Sequence, residues 1–178
     1  MSDWLFTEKS QLEALFTELA SELARRDLSV EIVIVGGGWM LWHELRFGTR
    51  DVDSVTRLEH EVTAAIAAVA KTNEVELETT WLNDNAAPFW PLGESFADTT
   101  TVFESDAFVV RVPSARVIFL MKLYRGLPPD VEDMIKLWPL TEFANADAAA
   151  AAFFEAYPHA PPDPHMANFI DQNIANRG

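Results

Sequence analysis

An α+β domain is the fold class that the sequence predicts, and three patterns predict it. Val30 to Val35 form a continuous, largely β-branched run, too short for a helix and too apolar for a strand with one wet face. Residues 100–104 and 107–112 read as two more strands around a turn at Ser105-Asp106. Helical periodicity dominates on either side, above all in the last third of the chain. The expected architecture is a strand-rich middle with a helical C-terminal third.

Taken in order, residues 10–26 repeat Leu12, Leu15, Phe16, Leu19 and Leu23 at three- and four-residue steps, one apolar stripe of a helix. Ser10 and Glu13 have the form of a capping box at its start, and Arg25 and Arg26 suit its negative end. Gly36-Gly37-Gly38 ends the first strand, residues 39–46 allow about two helical turns, and Gly48-Thr49-Arg50 turns the chain into residues 51–55. In a strand, alternate residues share a face, so Asp51 and Asp53 point one way and Val52 points into the core. Residues 59–71 read as a helix carrying Val62, Ile66 and Val69, and residues 74–79 alternate as a half-exposed strand does. The pattern then dissolves over residues 80–99 into an aromatic-rich loop of the length that often carries function. Residues 117–124 form a strongly apolar helix whose one charge is Lys122. Pro128-Pro129-Asp130 breaks it and starts another over residues 131–137. An alanine-rich helix over residues 147–157, a proline-rich turn over 158–164 and a last helix over 166–174 complete the chain. No internal repeat or convincing linker divides it. We therefore expect a single domain over residues 1–178, with its core at about 28–140 and a helical extension at about 141–178.

Composition narrows the function. Hydrophobic residues make up 49% of the 178 and charged ones 23%, which is globular rather than disordered. The net charge of −15 opposes non-specific binding to nucleic acid or an anionic membrane. An RNA substrate would need a local basic strip, for which Arg46, Arg50, Arg57 and Arg111 are available. With no cysteine there is no disulfide framework, Cys-zinc site or thiol nucleophile. No signal peptide or membrane-spanning run is visible, so a cytoplasmic location with no membrane partner is expected.

The glycine run first suggests a dinucleotide loop, but that fingerprint wants a sixth-position glycine where Leu41 stands. His43-Glu44 and His60-Glu61 begin like a zinc motif whose second histidine is absent, with Phe47 and Ala64 at those places. The aspartates say more. Asp51 and Asp53 follow the glycines by one short helix, and two carboxylates on one strand face suit Mg²⁺ that also takes substrate phosphates. The plainer reading is an exposed Asp pair at a strand end. Lys122, a lone ammonium on an apolar face, must either snorkel to solvent or find an anion. Asp130 serves equally as a site residue or as an N-cap, and Asp133 complements the helix dipole. Trp81 and Trp90 are either core residues or bases' stacking partners.

An apolar strand, paired glycines, a short helix and Asp-apolar-Asp make up a signature that Val35-Gly36-Gly37-Gly38 and Thr49-Arg50-Asp51-Val52-Asp53 reproduce. On it, the chain resembles the DNA-polymerase-β-like nucleotidyltransferases. Within them it looks most like small bacterial proteins related to AbiEii-type toxins of toxin–antitoxin systems. Lys122-Leu123 followed by Asp130 and Asp133 is similar to a later motif of those proteins, as is Trp81-Leu82-Asn83-Asp84. The likeness spans about residues 30–140. It implies a nucleotidyltransferase-like mixed sheet flanked by helices, with Asp51 and Asp53 as ligands of Mg²⁺ or Mn²⁺. It further implies Gly37, Gly38, Arg50 and Lys122 at the nucleotide, and Asp130 as a polar residue of the site. A third carboxylate, common in the superfamily, falls to Asp84, Glu78 or Glu76.

Two departures weaken the match: Trp39 is bulky where relatives have a small residue, and Leu127 replaces a frequent arginine. The resemblance implies transfer of a nucleoside monophosphate from an NTP to a hydroxyl on RNA, protein or a small molecule, and a cognate antitoxin as partner. The rival reading is an inactive fold serving as a nucleotide-binding or protein-interaction module, with the aromatic loop or the alanine-rich helix as its contact surface.

Overall fold

The computed structural model describes residues 6–73 and 77–177. Trp4, Glu74 and Glu76 lie outside the described residues. Of the strand expected over residues 74–79, the described part, 77–79, forms none. The fold class is as expected: a five-stranded mixed sheet and seven α-helices among the described residues. The chain divides into two compact units, residues 1–88 with 99–112, and residues 89–98 with 113–178.

The first unit holds the whole sheet. Helix α1 (Lys9–Arg25) buries Leu12, Phe16, Leu19 and Leu23 completely, each contributing about 1.5–3 kcal/mol relative to exposure. Its start differs from the Ser10–Glu13 pair expected. The helix begins at Lys9, and the Gln11 side chain reaches back to accept the N–H of Glu8 at 3.0 Å. Arg25 and Arg26 do more than offset the dipole, because both bind the buried Glu22, Arg26 Nε at 2.7 Å.

Strand β1 (Val30–Val35) is central, as its unbroken apolar run requires. Around it lie β2 (Val52–Ser54), β3 (Leu82–Asn83), β4 (Thr100–Glu104) and β5 (Phe108–Val112), in the order β3-β2-β1-β5-β4. β1 runs parallel to β5 and antiparallel to β2, with Val35 opposite Asp53. The antiparallel return to β2 disposes of the dinucleotide-binding reading, which requires a parallel crossover. Helix α2 (Gly36–Trp42) leaves β1 without a loop, so the glycines are the helix's first turn rather than a separate turn before it. Helix α3 (His60–Thr72) buries Val62, Ile66 and Val69 as expected. Trp81 is fully buried and donates its indole N–H to the Ile66 carbonyl at 3.2 Å. That makes it a core residue and removes it as a base-stacking platform.

The second unit contains α4 (Ala115–Arg125), α5 (Pro128–Leu137), α6 (Ala146–Ala156) and α7 (Met166–Asn173). Helix α4 stops at Gly126, which takes a left-handed φ of 63° and returns its N–H to the Lys122 carbonyl at 2.9 Å. α5 starts earlier than expected, with two prolines in its first turn where their missing N–H groups cost nothing. Asn145 caps α6 by accepting the N–H of Ala148 at 2.9 Å. Tyr157 stacks on Tyr124 with ring centroids 4.2 Å apart and donates its hydroxyl to the Phe89 carbonyl at 2.8 Å. This anchors part of the aromatic loop. Trp90 belongs to the same loop and is also tied down, packing on Phe96 and donating to the Glu94 carbonyl at 3.1 Å. No helix among the described residues is long and apolar enough to cross a membrane.

Candidate functional site

The three glycines pack against Asp53, Thr49 and Val52. Gly36 has φ +63°, and a Cβ there would lie 3.0 Å from Asp53 Oδ2. A side chain is thus refused twice, by backbone conformation and by the carboxylate. At Gly37 a Cβ would overlap the Thr49 hydroxyl outright and lie 3.2 Å from Arg46 Nη1. At Gly38 it would press on Val52 Cγ1 at 3.3 Å. The glycines let α2 lie directly against β2 and the turn that precedes it.

β2 is shorter than the strand expected over residues 51–55, and Asp51 sits just before it. The alternation survives. Val52 and Ser54 are buried, whereas Asp51 and Asp53 are half-buried, which leaves both carboxylates on the side away from the core. The Asp51 backbone is held from two directions. Its carbonyl accepts the Thr49 hydroxyl at 3.0 Å, and the next N–H, that of Val52, donates to the Trp81 carbonyl at 2.7 Å. Beyond Asp53, the buried Ser54 hydroxyl and Thr56 exchange hydrogen bonds, and Thr56 Oγ1 accepts the Val33 N–H at 3.1 Å. The carboxylates therefore stand on backbone locked to the central strand. Thr49 was not singled out from the sequence. Its signal was available, a hydroxyl two residues before the first aspartate, a spacing at which threonine bonds to backbone.

Asp84 takes a different part from the third carboxylate expected of it. Its Oδ2 accepts the Leu58 N–H at 3.1 Å and lies 3.8 Å from Arg57 Nη1, so it secures the segment leading into α3. Glu78 is exposed. The residue in register with Asp53 on β3 is Asn83. Of the expected basic strip, Arg111 is spent within its own sheet. It donates to the Thr99 hydroxyl at 2.7 Å and the Thr99 carbonyl at 2.6 Å, and pairs with Glu31 at 3.7 Å.

In the second unit, Lys122 has found its anions. It is 4% exposed and donates to Asp130 Oδ1 at 3.2 Å and Asp133 Oδ2 at 2.6 Å, which excludes snorkelling. Arg125 forks onto the fully buried Asp130, with Nε 2.8 Å from Oδ2 and Nη2 on Oδ1. Asp130 Oδ2 also accepts the Leu127 N–H at 3.2 Å, so it is the third residue of α5 reaching back over the first turn rather than the N-cap itself. Asp133 is buried and paired, a stronger role than the dipole complement expected. Two cations face two anions. Burial alone would raise the Asp130 pKa. The Arg125 hydrogen bond and the charges of Lys122 and Arg125 outweigh it and hold the carboxyl below its ordinary 3.8.

Over residues 10–147 the chain matches the family described as a nucleotidyltransferase of unknown function (DUF6036). The chain belongs to this nucleotidyltransferase family. The match takes in the glycine-rich first turn of α2, Asp51, Asp53 and the Lys122 cluster alike. No curated protein and no solved structure matches the chain.

For a nucleotidyltransferase site, the donor set fits a hard divalent cation in one respect. Two carboxylates beside a short strand are the number of protein ligands that Mg²⁺ commonly takes when substrate phosphates complete its shell. Among the described residues no group of three or more His, Asp or Glu side chains gathers to form an all-protein cage.

Proposed function

We propose that the chain is a metal-dependent nucleotidyltransferase that moves a nucleoside monophosphate from an NTP to an acceptor hydroxyl on RNA, protein or a small molecule. The observation that carries this reading is the pair Asp51 and Asp53. Both are half-buried on backbone fixed by Thr49 and the β1–β2 ladder, and the Asp53 carboxylate lies against the opening turn of α2. In the reaction the acceptor oxygen bonds to the α-phosphorus, the bond to the leaving pyrophosphate breaks, and the hydroxyl proton passes to solvent or a nearby base. Bound Mg²⁺ or Mn²⁺ would neutralise the charge on the phosphates. Asp51 and Asp53 would hold that ion. The backbone N–H groups of Gly37 and Gly38, in the first turn of α2, would meet the triphosphate, with Arg50 and Arg46 as nearby cations. Within the second unit, Lys122 and Asp130 fix α4 to α5, both being occupied with each other and with neighbours on those helices.

The resemblance to AbiEii-type proteins further supports a role as a toxin held by a cognate antitoxin. A catalytically idle nucleotide-binding or protein-interaction module is the alternative. Calorimetric titration of each NTP with and without Mg²⁺, repeated on Asp51→Asn and Asp53→Asn, separates the readings. Metal-dependent binding that drops at least about tenfold in both variants supports the enzyme. Absence of metal-dependent binding in the wild type sinks it, and binding that survives both substitutions puts the site elsewhere.

A further inference from the structure

The half-buried carboxylates have a neighbour that completes their side of the sheet. β3 runs parallel to β2, with Val52 opposite Leu82 and Asp53 opposite Asn83. Residues in register across adjacent strands share a face, and burial repeats the pairing: Val52 and Leu82 are buried, Asp53 and Asn83 half-buried. Asp84 follows the end of β3 and is engaged elsewhere, holding the Leu58 N–H and Arg57. The polar side chain beside Asp53 is therefore an uncharged amide. Asn83 Oδ1 accepts the Asn85 N–H at 3.0 Å as the chain turns out of β3, and its Nδ2 carries two donors.

We propose that Asn83 is the third polar group of the Asp51–Asp53 site. It holds the site at two negative charges and offers N–H donors to a phosphate or acceptor oxygen, so the site gathers a divalent cation only together with a nucleotide. This rests on the reading of Asp51 and Asp53 as the cation site. Cation affinity rises with the number of charged ligands. Two carboxylates and an amide thus make a weak site for a bare ion and a better one for an ion already carrying phosphates.

The test measures Mn²⁺ alone, by the loss of its free-ion electron paramagnetic resonance signal, on the full chain without nucleotide. Asn83→Asp keeps an oxygen acceptor for the Asn85 N–H, so the turn after β3 survives. It should tighten Mn²⁺ binding at least about tenfold. Asn83→Ser keeps an acceptor, adds no charge and should leave Mn²⁺ affinity at the wild-type level. The gain from Asn83→Asp should vanish when Asp53→Asn is added. Equal Mn²⁺ affinity in wild type and Asn83→Asp overturns the proposal. So does a gain in Asn83→Ser, or one that persists without Asp53. If Asn83→Asp changes nothing while Asp53→Asn weakens Mn²⁺–NTP binding, only the role of Asn83 falls. If neither aspartate affects Mn²⁺–NTP binding, the cation site falls and the Asn83 proposal with it.

Discussion

At Gly37 one hydrogen in place of a methyl group decides whether α2 fits against the turn before β2. Gly37→Ala drives a Cβ into the Thr49 hydroxyl, and overpacking of this kind costs about 1–3 kcal/mol. Urea denaturation should show that loss, and Gly37→Ala/Thr49→Ala should recover more than half of it because the overlapping atom is gone. Failure of the double variant to recover would place the strain on Arg46 instead. Gly36→Ala meets a separate obstacle, a left-handed φ together with the Asp53 carboxylate. Its expected cost is again about 1–3 kcal/mol, and removing the Thr49 hydroxyl should not relieve it.

Between α4 and α5 the stabilising feature is a buried ionic set. Lys122→Met leaves Asp133 buried without its ammonium, which should cost about 3–5 kcal/mol by chemical denaturation. Lys122→Met/Asp133→Leu removes both charges and should lose clearly less than the single substitution. The same set predicts acid sensitivity. Asp130 has its pKa depressed on folding, so its contribution is present above the ordinary value of 3.8 and disappears as pH falls through the lower folded value. Unfolding midpoints followed from about pH 5 downward should fall, and Asp130→Asn should flatten that part of the profile.

Most of the helices and the central strand were legible in the sequence, because a stripe such as Leu12–Phe16–Leu19–Leu23 is a direct record of one buried face. The return of the chain to place Asp53 on a strand beside the glycine-bearing helix was legible too. What the sequence did not disclose depends on partners distant along the chain. The Lys122 ammonium meets Asp133 from the next helix, and a periodicity argument sees only an isolated charge. Asp84 and Asn83 are adjacent, and only the register of a two-residue strand tells which of them stands beside Asp53. Helix starts moved because Gln11 and Asp130 reach back over the first turn from inside their helices, where a search for the first Ser or Asp does not look.

Across the whole chain, a net charge of −15 sets up self-repulsion that salt screens. The unfolding midpoint should therefore rise as NaCl goes from about 20 to 200 mM, by thermal or chemical denaturation; a fall would mean that ion pairs such as those of Asp130 outweigh the general repulsion. The glycine-rich turn has a final consequence, for how such chains change over generations. Gly36, Gly37 and Gly38 are each required by the atoms of Asp53, Thr49 and Val52 that press on them, whether or not a nucleotide ever binds. A descendant that lost its chemistry would still be held to the three glycines by selection on folding alone. The glycines therefore mark descent, and their presence alone is no sign of retained chemistry.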